Sequence, residues 1–356
     1  MANGFHNLRV VHLHRPVADA LTITLEVPSG LQGVFAYRPG QHLVFRLQLQ
    51  GAEQRRSYSL NSCPGVEQHL SVTVKRVKDG LVSNQLNDYL RVGDTLEVMA
   101  PTGRFSLETD ARKYRTVFLF AAGSGITPVY SMLKAVLHQE PYSSVVLFYG
   151  NRNKSSIIFR EELEQLRNQF ADRLQLAYTF SEPYSDWSSM WEWKLRKGII
   201  DAEAVEWFIT NFPPRSNTTE YYICGPGNMN QVVRTALMDL GIEPEQIHFE
   251  QFGVGGDVEV PDIPGPERAS LTAHLQGQVH SLEVQKGQTL LQALKENGAD
   301  PPYSCESGTC GTCVAKVKRG QVKMRHCFAL EDKEIADGMV LTCQAIPQTE
   351  NVEITF

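Results

Sequence analysis

The sequence predicts a multidomain protein: an N-terminal antiparallel β-barrel, then an α/β domain on a doubly wound parallel sheet, then a small C-terminal α+β unit. Three observations carry that reading. Over residues 1–110, short alternating apolar and polar runs recur between turn residues, the pattern of an all-β barrel or sandwich. Over residues 111–252, strand-like and helix-like periods alternate, as in a parallel sheet with crossover helices. Residues 253–268 then lose all periodicity, with four glycines and three prolines between 253 and 266, and read as a linker. Residues 269–356 follow as a unit of their own.

The elements fall in order. In the first segment, runs at 7–13, 21–27, 42–49, 69–77 and 95–98 read as strands, with Pro28-Ser29-Gly30, Pro39-Gly40 and Gly93-Asp94 between them and one helix near 82–90. In the second, strands at 116–121, 145–149, 174–179, 221–223 and 247–249 alternate with helices ending near 138 and spanning 158–170, 202–211 and 229–240. Three of the four tryptophans lie at 187–193, in a connection, where they form either a local packing cluster or a partner-facing lid. In the third, strands at 271–275 and 279–284 pair around Gln276-Gly277, a helix covers 289–297 with Gly298 as its stop, and strands at 314–318 and 352–356 complete a small mixed sheet.

Composition excludes several classes. With 356 residues, 42% hydrophobic and 21% charged, the chain has the make-up of an ordinary globular protein of two or three domains. Lys and Arg number 34 against 40 Asp and Glu, a net charge of −6, so no broad basic surface and no nucleic-acid partner is expected. No run of about 18 apolar residues occurs, so no membrane span is expected. Seven cysteines, an odd number, with no export signal, place the chain in a reducing cytoplasm.

Four of those cysteines form the sharpest motif: Cys305, Cys310, Cys313 and, after a long gap, Cys343, spaced C-x4-C-x2-C-x29-C. This is the ligand spacing of a plant-type [2Fe–2S] cluster. The loop between the first three is built of Ser307, Gly308, Thr309, Gly311 and Thr312, small residues that let backbone N–H groups approach sulfur. Zinc is the main rival, but structural zinc sites favour paired short spacings and only one C-x2-C exists. Disulfides are the second. Cys63 and Cys327 read as plain packed or surface thiols.

Three further stretches could hold anions or flat rings. In Ala121-Ala122-Gly123-Ser124-Gly125-Ile126-Thr127-Pro128, a strand turns into a helix through two glycines, so that the backbone can approach a pyrophosphate and the helix N-terminus favours its charge. The third glycine of a G-x-G-x-x-G is missing, and an ordinary tight turn is the rival reading. Arg55-Arg56-Ser57-Tyr58-Ser59 ends a strand: a guanidinium can pair with a diphosphate and a tyrosine can stack on a flat cofactor, or the stretch is simply a basic surface strand. Gly80-Leu81-Val82-Ser83 opens a helix and offers a second anion site.

Together these motifs resemble the ferredoxin–NADP reductase superfamily, in the variant with a C-terminal plant-type ferredoxin domain. Arg56-Ser57-Tyr58-Ser59 matches its R-x-Y-S flavin motif, Gly80–Ser83 its G-x-x-S motif, Gly123–Pro128 its G-x-G-x-x-P dinucleotide motif, and Cys224-Gly225-Pro226 its C-G-P segment. Glu250-Gln251-Phe252 stands where the late E-x-aromatic motif falls. The order matches and the resemblance spans essentially the whole chain. Within the superfamily the chain most resembles reductase subunits of phenylacetyl-CoA epoxidases, through Asp19–Thr24, Arg38–Leu43, Leu96–Pro101, Tyr149–Arg152 and Leu341–Ala345; reductases of steroid and aromatic oxygenases share much of this.

The resemblance implies an FAD-binding barrel, an NAD(P)-binding α/β domain and a β-grasp ferredoxin-like domain. It implies an NAD(P)H-dependent reductase component that passes electrons through FAD and a [2Fe–2S] cluster to a separate oxygenase. Tyr58 would stack on the flavin ring, Ser59 would sit near its reactive nitrogen, Arg56 would hold the pyrophosphate, and Ser57, Val74, Gly80, Val82 and Ser83 would complete the flavin site. Phe105 is either near the flavin or plain core. Gly123, Gly125, Thr127, Pro128, Gly225 and Pro226 would hold the dinucleotide. Cys224 would lie beside the nicotinamide, with a buried strand-end thiol as the rival reading, and Glu250 and Phe252 would close the catalytic set. Arg152, with Arg160 assisting, would receive a 2′-phosphate, which favours NADPH over NADH. Two alternatives stand: a reductase serving another ring-hydroxylating or steroid oxygenase, and a non-catalytic assembly subunit that retains the fold.

Overall fold

The computed structural model describes residues 4–182, 195–252 and 261–356. The tryptophan tract at 187–193 lies outside the described residues, as does 253–260 of the expected linker. Residues 6–54 and 58–252 form one compact unit, and 261–356 the body of a second.

The first sheet has six antiparallel strands: β1 (Phe5–Val17), β2 (Ala20–Glu26), β3 (His42–Leu49), β4 (Ala52–Ser59), β5 (Leu70–Lys75) and β6 (Thr95–Thr102), in the order β4-β3-β6-β1-β2-β5. Leu60, just after β4, bridges to Val72 of β5, so the two ends of the row meet and the sheet closes into a barrel. Alternate residues point inward: Leu8 and Val10, Ile23 and Leu25, Leu43 and Phe45, Val72 and Val74 fill one core. Helix α1 (Leu81–Tyr89) contributes Val82 and Leu86 to that core. β1 runs longer than its apolar pattern indicates, because shifts of register between Val10 and His12 and between His14 and Val17 carry its polar half along β2.

The second sheet is wholly parallel. Its strands are β7 (Thr116–Ala122), β8 (Ser144–Asn151), β9 (Leu174–Phe180), β10 (Leu195–Lys197), β11 (Thr219–Gly225) and β12 (Ile247–Gln251), ordered β10-β9-β8-β7-β11-β12. Both faces are covered, and the sequence alternates accordingly. Val117, Leu119 and Ala121 join one core with helices α2 (Ile126–Gln139) and α3 (Arg160–Gln169). Phe118 and Phe120 join the other with α4 (Ala202–Asn211) and α5 (Met229–Asp239). Phe208 of α4 stacks on Phe148 at 4.8 Å and meets Phe120 edge-on at 5.2 Å; truncating such a residue costs about 3–5 kcal/mol. The chain leaves β7 in one direction to build β8, β9 and β10, then returns to β7's other side for β11 and β12. That reversal opens a crevice at the carboxyl ends of β7 and β11, where ligands bind such sheets.

The third sheet orders β13 (Arg268–Leu275), β14 (Gln278–Gln285), β15 (Val314–Arg319), β17 (Met339–Leu341) and β19 (Asn351–Thr355) as β14-β13-β19-β15-β17. β13 and β19 run parallel and the other pairs antiparallel. Helix α6 (Leu290–Glu296) lays Leu290, Ala293 and Leu294 against Leu271, Ala273 and Ile354. Thr289 caps it, accepting the Gln292 N–H at 3.2 Å, while the Gln292 side chain returns to the Thr289 N–H, a reciprocal capping box. Two short strands, β16 (Val322–Met324) and β18 (Ala345–Pro347), pair beside this sheet, and helix α7 (Asp332–Ala336) precedes β17. The cysteine loop lies between α6 and β15, and Cys343 lies between β17 and β18.

Candidate functional site

At the crevice of the parallel sheet the turn after β7 places Gly123 at φ +53° and leads through Gly125 into α2. Gly125 is needed for space: a Cβ there would overlap the Cys224 carbonyl and come within 3.0 Å of the Gly225 nitrogen. The glycine therefore lets α2 start directly against the end of β11. Thr127 donates its hydroxyl to the Ser124 carbonyl at 3.0 Å and Pro128 lies in the first helical turn, so both shape the turn. Tyr149, buried on β8, donates to the Gly123 carbonyl at 2.9 Å and holds it from below.

A cavity of about 400 Å³ opens on this turn. Gly123, Arg152 and Pro226, three of the residues expected to hold a dinucleotide, line it. Ile199, Ile200, Met229 and Val232 make an apolar wall, while Lys75, Asn151, Arg152 and Ser156 make a polar rim. An apolar slot for a flat base beside cations and two helix N-termini (α2 and α5) suits a dinucleotide. Asn151, also in the lining, is buried, and neither atom of its carboxamide completes a hydrogen bond. Arg152 is largely exposed at the rim, and Arg160 heads α3.

Where β4 and β12 end, three polar side chains meet inside the protein. Ser59 donates its hydroxyl to Glu250 Oε2 at 3.4 Å, and His42 Nδ1 lies 3.7 Å from Glu250 Oε1. Glu250 owes its position to β12, where it pairs with Cys224 of β11, and to Asn230, which donates to its carbonyl at 2.8 Å. Cys224 is fully buried; burial, then the Glu250 charge, push its thiol well above its ordinary range, so it is a neutral S–H and no nucleophile. Tyr58, one residue before Ser59, packs its ring 5.2 Å from Phe45. Arg56 and Ser57 precede it on β4, and Arg56 donates to the Arg55 carbonyl at 2.7 Å. Val74 is buried on β5.

Gly80 caps α1, and the Ser83 hydroxyl accepts the Val77 N–H at 3.1 Å, which folds the preceding turn onto the helix start. Val82 is buried beneath it. Phe252 ends the described part of this unit, partly exposed, and Phe105 is buried against Tyr222 at 5.8 Å, in the core. Lys75, His42 and Asn151 were not singled out by the sequence. Lys75 and His42 lie in stretches read as barrel strands, and Asn151 is made notable by burial alone.

In the C-terminal unit the four cysteines come together two by two. The Cys305 thiol is pulled down to about 4, first by the Cys310 thiol beside it and further by Thr309 and Ser307, against burial. Cys310 is pushed up by the same contact, so that pair shares a proton. Cys313 is pushed up first by the Cys343 thiol and then by burial. Gln344 fastens the remote cysteine to the loop, donating to the Glu306 carbonyl at 2.9 Å. The Ser307 N–H reaches Cys305 Sγ at 3.4 Å, as a loop that solvates sulfur with backbone amides must. Among the described residues no group of three His, Cys, Asp or Glu side chains could hold a metal ion. Two thiol pairs fit a centre of two irons with two thiolates each.

A closed antiparallel barrel, a switch-point cavity on a parallel sheet and paired thiols on a β-grasp unit define a flavin-, nicotinamide- and iron–sulfur-linked oxidoreductase. The chain belongs to the ferredoxin–NADP reductase superfamily, among the reductase components that carry a plant-type [2Fe–2S] domain. Residues 8–107 match the model of the oxidoreductase FAD-binding domain, 119–235 that of the oxidoreductase NAD-binding domain, and 273–348 that of the 2Fe-2S iron-sulfur cluster binding domain. The chain is 36% identical to a component of the 1,2-phenylacetyl-CoA epoxidase of Escherichia coli K12, covering 99% of this chain and 98% of that one. It is also 36% identical to the ferredoxin reductase component of 3-ketosteroid-9-alpha-monooxygenase from Rhodococcus rhodochrous, over 95% and 93% of the two chains. Phthalate dioxygenase reductase shares the fold, with a TM-score of 0.57 at 23% identity over 99% of this chain and 98% of that one. Its cofactors are thus FAD, a nicotinamide dinucleotide and a [2Fe–2S] cluster. Among the described residues, no helix is long and apolar enough to cross a membrane.

Proposed function

We propose that this chain is the NAD(P)H-dependent reductase component of a multicomponent oxygenase, and that the oxygenase is a phenylacetyl-CoA epoxidase. When bound, the cofactors would supply the conversion of one two-electron donor into single electrons, the flavin taking both electrons and the cluster carrying them one at a time. The observation that carries the reading is the presence, on one chain, of a cavity lined by Gly123, Arg152 and Pro226 and of two thiol pairs, Cys305 with Cys310 and Cys313 with Cys343. The residues supply binding and orientation. Arg56, Ser57, Tyr58, Ser59 and Val74 on β4 and β5, with Gly80, Val82 and Ser83 at the start of α1, would hold the flavin. Gly123, Gly125, Thr127, Pro128, Arg152, Gly225 and Pro226 would hold the dinucleotide. Glu250, Cys224 and Phe252 would frame the place where the two rings meet. Cys305, Cys310, Cys313 and Cys343 would hold the cluster.

Support for the particular oxygenase is the full-length likeness to the Escherichia coli epoxidase component. Equal identity to the 3-ketosteroid monooxygenase component supports a second reading, a steroid oxygenase partner. The test is reconstitution. The purified chain is mixed with NADPH or NADH and, separately, with the oxygenase components of each system, and product is measured. Product with the epoxidase components and none with the steroid components is the expected outcome. The reverse would replace the epoxidase with the second reading, and a colourless preparation without flavin or iron would overturn the reductase role itself.

A further inference from the structure

The cavity rim carries a feature that its role as a dinucleotide seat does not require. Asp19 lies in the tight turn joining β1 to β2, and one of its carboxylate oxygens, Oδ2, is 3.6 Å from Arg152 Nη2 and 3.7 Å from Lys75 Nζ. These are the two cations on the polar rim. Arg152 follows β8, the strand whose end in such folds faces the adenosine ribose. Lys75 reaches over the glycine turn, its ammonium 4.0 Å from where a Cβ on Gly123 would lie. The carboxylate among the lining residues themselves, Asp201, is engaged elsewhere: it caps α4 by accepting the Ala204 N–H at 2.8 Å and faces Arg196 at 3.6 Å. Asp19 is therefore the acidic group that answers both rim cations.

We propose that Asp19, by pairing with Arg152, sets how strongly the chain distinguishes a 2′-phosphorylated dinucleotide from an unphosphorylated one. A 2′-phosphate brings two negative charges and needs the guanidinium that Asp19 holds. To bind it, Arg152 must leave the carboxylate, and the carboxylate then stands close to the incoming dianion. A free 2′-hydroxyl makes neither demand. Arg152 alone would make the seat selective for NADPH; Asp19 tempers that selectivity, leaving a chain that accepts both donors. The proposal rests on the cavity being the dinucleotide seat and assigns a specificity role to a residue outside every motif of that seat.

The test is calorimetric titration of the holoenzyme with 2′,5′-ADP and with 5′-ADP, in the wild-type chain and in Asp19→Asn, Asp19→Ser, Arg152→Gln and the Asp19→Asn/Arg152→Gln pair. Because Asp19 and Arg152 are partly exposed, removing the carboxylate is expected to tighten 2′,5′-ADP by roughly two- to fivefold. It should tighten 5′-ADP less, since that nucleotide can gain only from the freed Lys75, lower the ratio of KM for NADPH to KM for NADH, and leave that ratio unchanged once Arg152 is glutamine. The gain should shrink in high salt. A change of equal size for both nucleotides, no change for either, or a gain in discrimination between them that persists without Arg152 would overturn the proposal and leave the seat intact. Failure of the wild-type chain to bind either nucleotide would overturn the seat and the proposal with it.

Discussion

His42 Nδ1 lies 3.7 Å from Glu250 Oε1, although one residue opens a barrel strand and the other stands on β12, the last strand of the parallel sheet. Both are buried, at 2% and 8% exposure, and the second Glu250 oxygen accepts from Ser59. A carboxylate in such a place is retained because its donors are fixed around it. Glu250→Ala should lower the unfolding free energy by about 1–3 kcal/mol, the cost of stranding buried donors, read as a shift of the urea midpoint. Glu250→Gln should cost less, because its amide oxygen still accepts from Ser59. If Glu250 also frames the reacting rings, the alanine variant will slow NAD(P)H-driven bleaching of the flavin absorbance by roughly tenfold or more, in excess of any loss of flavin.

Gly125 and Gly225 face each other across the same crevice but should respond differently to alanine. A methyl on Gly125 meets the Cys224 carbonyl, which is backbone and pinned by β11. A methyl on Gly225 meets the sulfur and methyl of Met229, the end of a flexible side chain. Gly125→Ala should cost about 1–3 kcal/mol or more by overpacking. Gly225→Ala should fold nearly normally but push Met229, which lines the cavity, so that KM for the dinucleotide rises while kcat changes little. Thermal melts and steady-state kinetics on the two variants separate these outcomes.

Much of this arrangement was legible in the sequence, for physical reasons that also mark where legibility ends. The parallel sheet could be read because both its faces are buried: Val117, Leu119 and Ala121 feed one core and Phe118 and Phe120 the other, giving an unbroken apolar run. Strands β10, β16, β17 and β18 could not, since three residues are too few to show a period. The four-cysteine spacing was visible, but its division into Cys305 with Cys310 and Cys313 with Cys343 depends on how the loop returns to Gln344. Lys75, His42 and Asp19 are single polar residues far apart in the sequence, and the pairing of β2 with β5 and the packing of the barrel against the parallel sheet give them their neighbours.

The paired thiols predict a division of labour that mutation can expose. Cys310→Ser and Cys343→Ser each break one pair and should abolish the iron–sulfur absorbance. Reduction of ferricyanide, which flavins serve directly, should persist within about twofold, while reduction of a one-electron protein acceptor such as cytochrome c should fall by roughly tenfold or more. Cys63→Ser is the control. Burial, then the charge of Glu67, push the Cys63 thiol up to about 12, so it is an inert packed group and its loss should change neither spectrum nor rate. Survival of cytochrome c reduction in both cluster variants would mean that electrons leave by another route.

The acid limit of the nicotinamide domain should be set in part by Arg115, whose guanidinium is buried between two carboxylates: Glu140 at 2.6 Å and Glu220 at 2.5 Å. Burial would raise the Glu220 carboxyl, but the Arg115 charge and the Tyr222 hydroxyl, 2.8 Å away, outweigh it and hold the group below its ordinary value of 4.5. A carboxyl depressed in the folded chain binds its proton more readily when unfolded. Its stabilising contribution is therefore complete above the unfolded value, and is lost as pH falls from there through the lower folded value. Stability should thus hold level, as far as this group is concerned, from neutrality down to about pH 5, then fall toward acid. Glu220→Gln should be less stable than the wild type at pH 7, with the gap narrowing as pH falls below 4.5, the ordinary value, toward the depressed folded one. Glu140→Ala should behave differently. Glu140 is fully buried, and removing it strands part of a buried positive charge at pH 7, at a cost of about 3–5 kcal/mol. Urea titrations at pH 7 rank the two variants, and repeating that of Glu220→Gln at pH 4 tests the titration: a gap that stays constant with pH would show that Arg115 draws its stabilisation from Glu140 alone.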